Sequence, residues 1–157
     1  MPPMRGNPGP GHERMADREL VTSRVIAAAR PRVWRAFADP TLLARWWGPT
    51  GFSNTFHTFE LRPGGAWRFV MHGPDGVDHP NESLFVEVLP AERLVFEHVS
   101  APRFEMTITL TDHGARTALG WRQRFDSAET CRRIAPIAVP GNEQNLDRLS
   151  ALLHATA

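Results

Sequence analysis

The side chains able to do acid–base chemistry are scattered along this 157-residue chain. His98 ends the alternating run Leu94, Phe96, His98, so period two puts it on the same strand face as two apolar residues. A histidine in that setting must find a hydrogen-bond partner or lose its proton. Near neutral pH it suits general-base work, or a hydrogen bond to an oxygen of a bound ligand. The carboxylates support it poorly. Glu82 and Glu87 read as opposite phases of one strand, and His57 and Glu60, three apart, as opposite faces of another. Neither makes an acid–base pair unless a bulge resets the phase. His72 and His79 bracket Asp75 and Asp78, but the spacing matches no metal-ligand pattern and no metal site is expected. Cys131 stands beside Arg132 and Arg133, which would lower a thiol pKa, yet no histidine or second cysteine accompanies it. A structural role is expected for it. No G-x-S-x-G, P-loop or dinucleotide fingerprint occurs, and the Gly64-Gly65 pair precedes a strand rather than a helix. No catalytic residue, metal or cofactor is assigned.

The apolar residues are better organised. Trp67, Phe69 and Met71 share one strand face by alternation. Phe104, Met106 and Ile108 form another row, and Leu119, Trp121 and Gln123 a further one. Together they make an aromatic-rich wall with few polar groups. Such a wall suits a small hydrophobic ligand, or it is simply a packed core. On the ligand reading the contacting residues are Trp47, Trp67, Phe69, Met71, Phe96, His98, Met106 and Trp121. Of the adjacent Trp46 and Trp47, one plugs the end of the sheet and the other meets the surface or the cavity mouth. Arg62, Arg68 and His72 read as an outward polar patch, with Arg93 and Glu87 paired across neighbouring strands.

The elements that must position these residues follow from punctuation and period. Residues 1–17 are read as a disordered extension, with Met15 a candidate start, and residues 18–157 as one domain. A first strand spans Leu20 to Ala29. Pro31 opens a short helix, and Asp39 caps a second that carries Trp46 and Trp47 and stops at Gly48-Pro49. Six further strands follow: Asn54–Leu61, Ala66–His72, Asn81–Leu89, Arg93–Val99, Phe104–Thr111 and Ala115–Phe125. Their short gaps make antiparallel hairpins, except for a longer polar loop over Gly73 to Pro80. Ser127 opens a short helix that Pro140-Gly141 interrupts. Leu146, Leu149, Leu152 and Leu153 then repeat at helical spacing. The fold class is α+β, a seven-stranded curved antiparallel sheet wrapped around a long C-terminal helix, with two short helices after strand one.

Four stretches carry a family resemblance: "AAARPRVWRAFADPTLLARWWGP", "RPGGAWRFVMHGPDG", "FVEVLPAERLVFEH" and "GNEQNLDRLSALL". In this order they resemble homologues of the activator of the heat-shock-protein-90 ATPase, within the START-like (SRPBCC) superfamily. The resemblance covers about Leu20 to Leu153 and implies the helix-grip fold. It also implies three functional readings. The first is binding of a small hydrophobic or lipid-like ligand between sheet and helix. The second is a cyclase- or hydrolase-like reaction on a hydrophobic substrate, with His98 or an inward carboxylate as base. The third is a module that contacts a chaperone. Too little chain lies outside the resemblance for a second co-chaperone domain, so direct stimulation of the ATPase is not expected.

Composition narrows the partners. Eighteen basic residues, all Arg, against 17 acidic ones give a net charge of +1 and no basic stripe, so nucleic acid is not an expected partner. One cysteine, no signal-peptide core and no run of 18 apolar residues imply a cytoplasmic protein without membrane insertion. A homodimer is expected on the ground that edge strands need covering.

Overall fold

The computed structural model describes residues 14–156. The expected disordered extension falls largely outside these residues; Met15–Arg18, at its end, form a 3-10 turn. Strand β1 (Glu19–Ile26) leads into helices α1 (Arg30–Ala38) and α2 (Pro40–Trp46). The strands β2 (Ser53–Phe59), β3 (Ala66–His72), β4 (Asp78–Leu89), β5 (Arg93–His98), β6 (Phe104–His113) and β7 (Arg116–Phe125) then run to helix α3 (Ala128–Ala155). One seven-stranded sheet results, in the order β1-β7-β6-β5-β4-β3-β2, with every pair antiparallel.

Local chemistry accounts for the boundaries. Asp39 cannot continue α1 comfortably before Pro40. Instead its Oδ1 accepts the Thr41 N–H at 2.9 Å and caps α2, as its position suggests. Gly65 is required between β2 and β3, because a Cβ there would lie 2.0 Å from the Glu60 carbonyl oxygen. The Glu60 carboxylate closes the same turn by accepting the Ala66 N–H at 3.1 Å. That bond, with Arg62 beside it, holds the Glu60 pKa below its ordinary value.

The inner face carries the alternating rows. Trp67, Phe69, Phe85, Leu94, Phe96, Met106, Ile108, Leu119 and Trp121 are buried in one cluster with Leu146, Leu149 and Leu153 of α3. The leucine stripe therefore does what its period demands and covers the concave face.

Three sequence expectations are corrected. The tail is one 28-residue helix, not two pieces broken at Pro140-Gly141. Pro136 and Pro140 lie within it, both exposed. Their missing N–H bonds thus free carbonyls toward solvent, where water satisfies them and the helix persists. The loop over Gly73 to Pro80 is shorter than expected, since β4 already begins at Asp78 and pairs with His72. Bonds from Gly73 N to Val77 O (2.9 Å) and from Val77 N to Asp75 Oδ1 (3.1 Å) make it a tight hairpin. Finally, Glu82 and Glu87 are not on opposite faces. A register shift between Phe85 and Glu87 inserts one residue, so both carboxylates reach arginines on the outer face, Arg68 and Arg93. A second shift lies between Phe56 and Thr58, and leaves His57 exposed.

Candidate functional site: a cleft at the open end of the sheet

α3 does not cover the whole concave face. Beyond its leucine stripe, β3, β4 and β5 form the floor of a cleft of about 500 Å³. Trp67, Phe69 and Phe96 line the floor, Trp47, Pro49 and Phe52 one wall, and Ile137 is the only α3 residue that reaches it. A polar rim runs along the other side, from Asp78 to Asn81 and across to His98 and Pro102.

The wall made by residues 45–52 is held from the helix. Arg148 donates from its guanidinium to five backbone carbonyls: Arg45, Trp47, Gly48, Pro49 and Phe52, at 2.9–3.1 Å. These partners are uncharged, and burial pulls the Arg148 pKa below the usual arginine value. Asn145 Oδ1 accepts the Gly48 N–H at 3.1 Å, and Gln144 Oε1 the Thr50 N–H at 3.2 Å. From the other side, Asn54 donates to Ala44 O and Trp47 O. The chain can make this sharp exit from α2 because Gly48 takes φ +98°, where a side chain is disfavoured.

The two adjacent tryptophans divide as their positions suggest. Trp46 is fully buried, donates to Ala36 O at 2.9 Å and meets Phe37 edge to face. Trp47 turns into the cleft, with ring centroids 5.1 Å from Trp67, 5.8 Å from Phe96 and 5.6 Å from Trp121.

His98 is the polar centre of the rim. Its Nδ1 lies 2.8 Å from Pro102 O, an acceptor only, so Nδ1 carries a proton. Its Nε2 lies 3.2 Å from the Ser100 hydroxyl and 2.6 Å from Asn81 Oδ1. The ring stacks on Phe104 at 4.5 Å and 11°. Desolvation pushes the His98 pKa below the ordinary value, only partly offset by hydrogen bonds to the backbone of Pro102 and Ser100.

A transverse row links this histidine to the floor. Trp67 pairs in register with Ser83, and Ser83 with His98, across three neighbouring strands. Register partners place their side chains on one face. Trp67 and Ser83 are each 1 % exposed, and among the described residues neither Trp67 Nε1 nor Ser83 Oγ has a hydrogen-bond partner.

The sequence-named residues separate by depth. Trp47, Trp67, Phe69, Met71, Phe96 and His98 line the cleft. Met106 and Trp121 do not; they are buried in the core cluster, because alternation assigns a face but not which part of that face the cleft opens on. Sequence reasoning missed Ser83, Asn81 and the Arg148 clamp. Ser83 follows from the pairing of "ESL" opposite "AWR", and Arg148 from its place beside Asn145 in a stretch already singled out. Among the described residues no group of three His, Cys, Asp or Glu side chains is arranged to hold a metal. Cys131 is buried, and desolvation raises its thiol pKa more than Arg132 lowers it. Among the described residues no helix is long and apolar enough to cross a membrane.

A sheet gripping one long helix, with two short helices after the first strand, defines a START-like protein. The chain belongs to the Activator of Hsp90 ATPase homolog 1-like family, whose model matches residues 27–154. Similar solved structures include protein CV1439 from Chromobacterium violaceum (29 % identity, TM-score 0.77, covering 85 % of this chain and 96 % of that one). Protein Ms6760 from Mycobacterium smegmatis is 26 % identical with a TM-score of 0.81, covering 93 % of this chain and 97 % of that one. Protein NE0264 from Nitrosomonas europaea is 25 % identical with a TM-score of 0.83, covering 90 % and 97 % respectively. No curated protein matches the chain.

Proposed function

We propose that the protein binds a small hydrophobic molecule in this cleft. The observation that carries the reading is the cleft itself. Its roughly 500 Å³ falls within the 300–1,000 Å³ common for small-molecule sites, and aromatic side chains dominate its floor. The clamp on residues 45–52 supports it, because it holds Trp47, Pro49 and Phe52 in place before any ligand arrives.

Binding is favoured over catalysis by the state of the polar groups. His98 is engaged on both nitrogens, Nδ1 donating to Pro102 O and Nε2 accepting from the Ser100 hydroxyl. Asp78, the carboxylate at the rim, is bonded to His72 Nδ1 at 2.7 Å. Glu82 and Glu87, the other candidate bases, face arginines on the outer side.

The test is a titration with 2-ethylnaphthalene followed by amide NMR. Shifts are expected at Trp67, Phe96 and Ala101. Replacing Ala101, an exposed residue at the mouth, by Trp should abolish them while leaving the fold intact. Absence of binding by the unmodified protein would overturn the reading.

A further inference from the structure

Resting on the cleft reading, we infer that the ligand carries a neutral carbonyl-type oxygen, as in a ketone or ester, received by the Trp67 indole N–H and the Ser83 hydroxyl. The inference starts from two buried polar atoms without partners. A buried group of this kind is costly, and most native structures pair it. Here two belong to residues directly opposed on β3 and β4, Trp67 and Ser83, and both residues line the cleft.

Their chemistry specifies the missing partner. An indole nitrogen donates only, and a serine hydroxyl can donate as well. Directly opposed residues hold their Cβ atoms roughly 5 Å apart. One oxygen with two lone pairs can accept from both. A carbonyl oxygen has that capacity and nothing to donate.

Charge is excluded by the surroundings. Among the described residues no arginine lines the cleft, and the ionisable groups at its rim are Asp78, His79 and His98. A carboxylate ligand would lose its hydration without gaining a counter-ion, beside an aspartate. The aromatic floor accepts the apolar remainder of the molecule. Both polar atoms are shut off from solvent in this conformation, so a ligand reaches them with a shift of wall side chains. Met71 at the mouth, unbranched and half-buried, is suited to such a movement.

Three probes of one shape test this: 2-acetylnaphthalene, 2-ethylnaphthalene and 2-naphthoate, titrated by calorimetry into the full chain. The ketone should bind roughly tenfold or more tightly than the hydrocarbon. Ser83→Ala should bring the ketone down toward the hydrocarbon and leave the hydrocarbon unchanged. Trp67→Phe should likewise reduce the ratio of ketone to hydrocarbon affinity. Should that core variant fail to fold, the Trp67 indole N–H resonance serves instead, and should move downfield with the ketone but not with the hydrocarbon. Equal binding of ketone and hydrocarbon would overturn the inference and leave the hydrophobic cleft standing. Tightest binding of the naphthoate would overturn the neutral-ligand assignment. No binding of any probe would overturn the cleft reading and this inference with it.

Discussion

Trp67 and Ser83 face each other in register across β3 and β4, each sealed from water and each with its polar atom unpaired. An arrangement of this kind lowers the stability of the ligand-free protein. Ser83→Ala removes one unpaired group at almost no change in volume. It should therefore raise unfolding stability by about 1 kcal/mol. Urea denaturation should show a higher midpoint with the slope unchanged. A loss of stability would mean that the hydroxyl is satisfied in solution.

Arg148 holds the cleft wall through five carbonyls, and a lysine cannot reproduce that fork. Arg148→Ala leaves several carbonyls short of a donor and should cost about 2–4 kcal/mol. Arg148→Lys should recover only part of this. Hydrogen exchange should rise first across residues 45–52, ahead of the sheet.

Gly48 is the point where the wall meets the mouth. A Cβ there would lie 2.7 Å from Met71 Cε, on a backbone with φ +98°. Gly48→Ala should destabilise the fold by roughly 1 kcal/mol or more. It should also weaken 2-ethylnaphthalene binding, by pressing Met71 into the cleft.

Burial holds the folded-state pKa of His98 below the ordinary value of 6.5. Between those two values the unfolded chain binds more protons than the folded one, so stability rises with pH there. The contribution is complete above about pH 6.5 and is lost as the pH falls toward the folded pKa. Denaturant unfolding measured from pH 5 to pH 7 should show this rise. Replacing His98 with Gln should flatten it relative to the unaltered protein.

The sequence was most legible where punctuation brackets an alternating run. β3 was read at its true bounds, Ala66–His72, because Pro63-Gly64-Gly65 precedes it and Pro74-Asp75-Gly76 follows. The bulges at Phe56–Thr58 and Phe85–Glu87 left no such mark, since an extra residue changes the phase without changing the composition. That is why the faces of Glu82 and Glu87 were misread. The continuity of α3 was hidden by Pro140, whose cost in a helix depends on whether its freed carbonyl meets water, a property of the folded surface. Arg148 and Asn145 flank the leucine stripe in the sequence, and nothing in the helical period marks them as holding another segment. Their partners, backbone groups around Gly48, lie about a hundred residues earlier in the chain. Alternation likewise places Trp121 on the buried face without revealing that the cleft does not extend to it.

The strand order has a consequence for assembly in time. From β2 to β7 each strand pairs with its sequence neighbours, so this meander can grow as successive hairpins while the chain emerges. β1 is the exception: its partner is β7, with Glu19 set against Arg124. The first strand made is therefore among the last to find its place. The wall around Trp47 waits longer still, because the guanidinium that secures it comes from the final helix. The last helix must arrive before there is a cleft to enter.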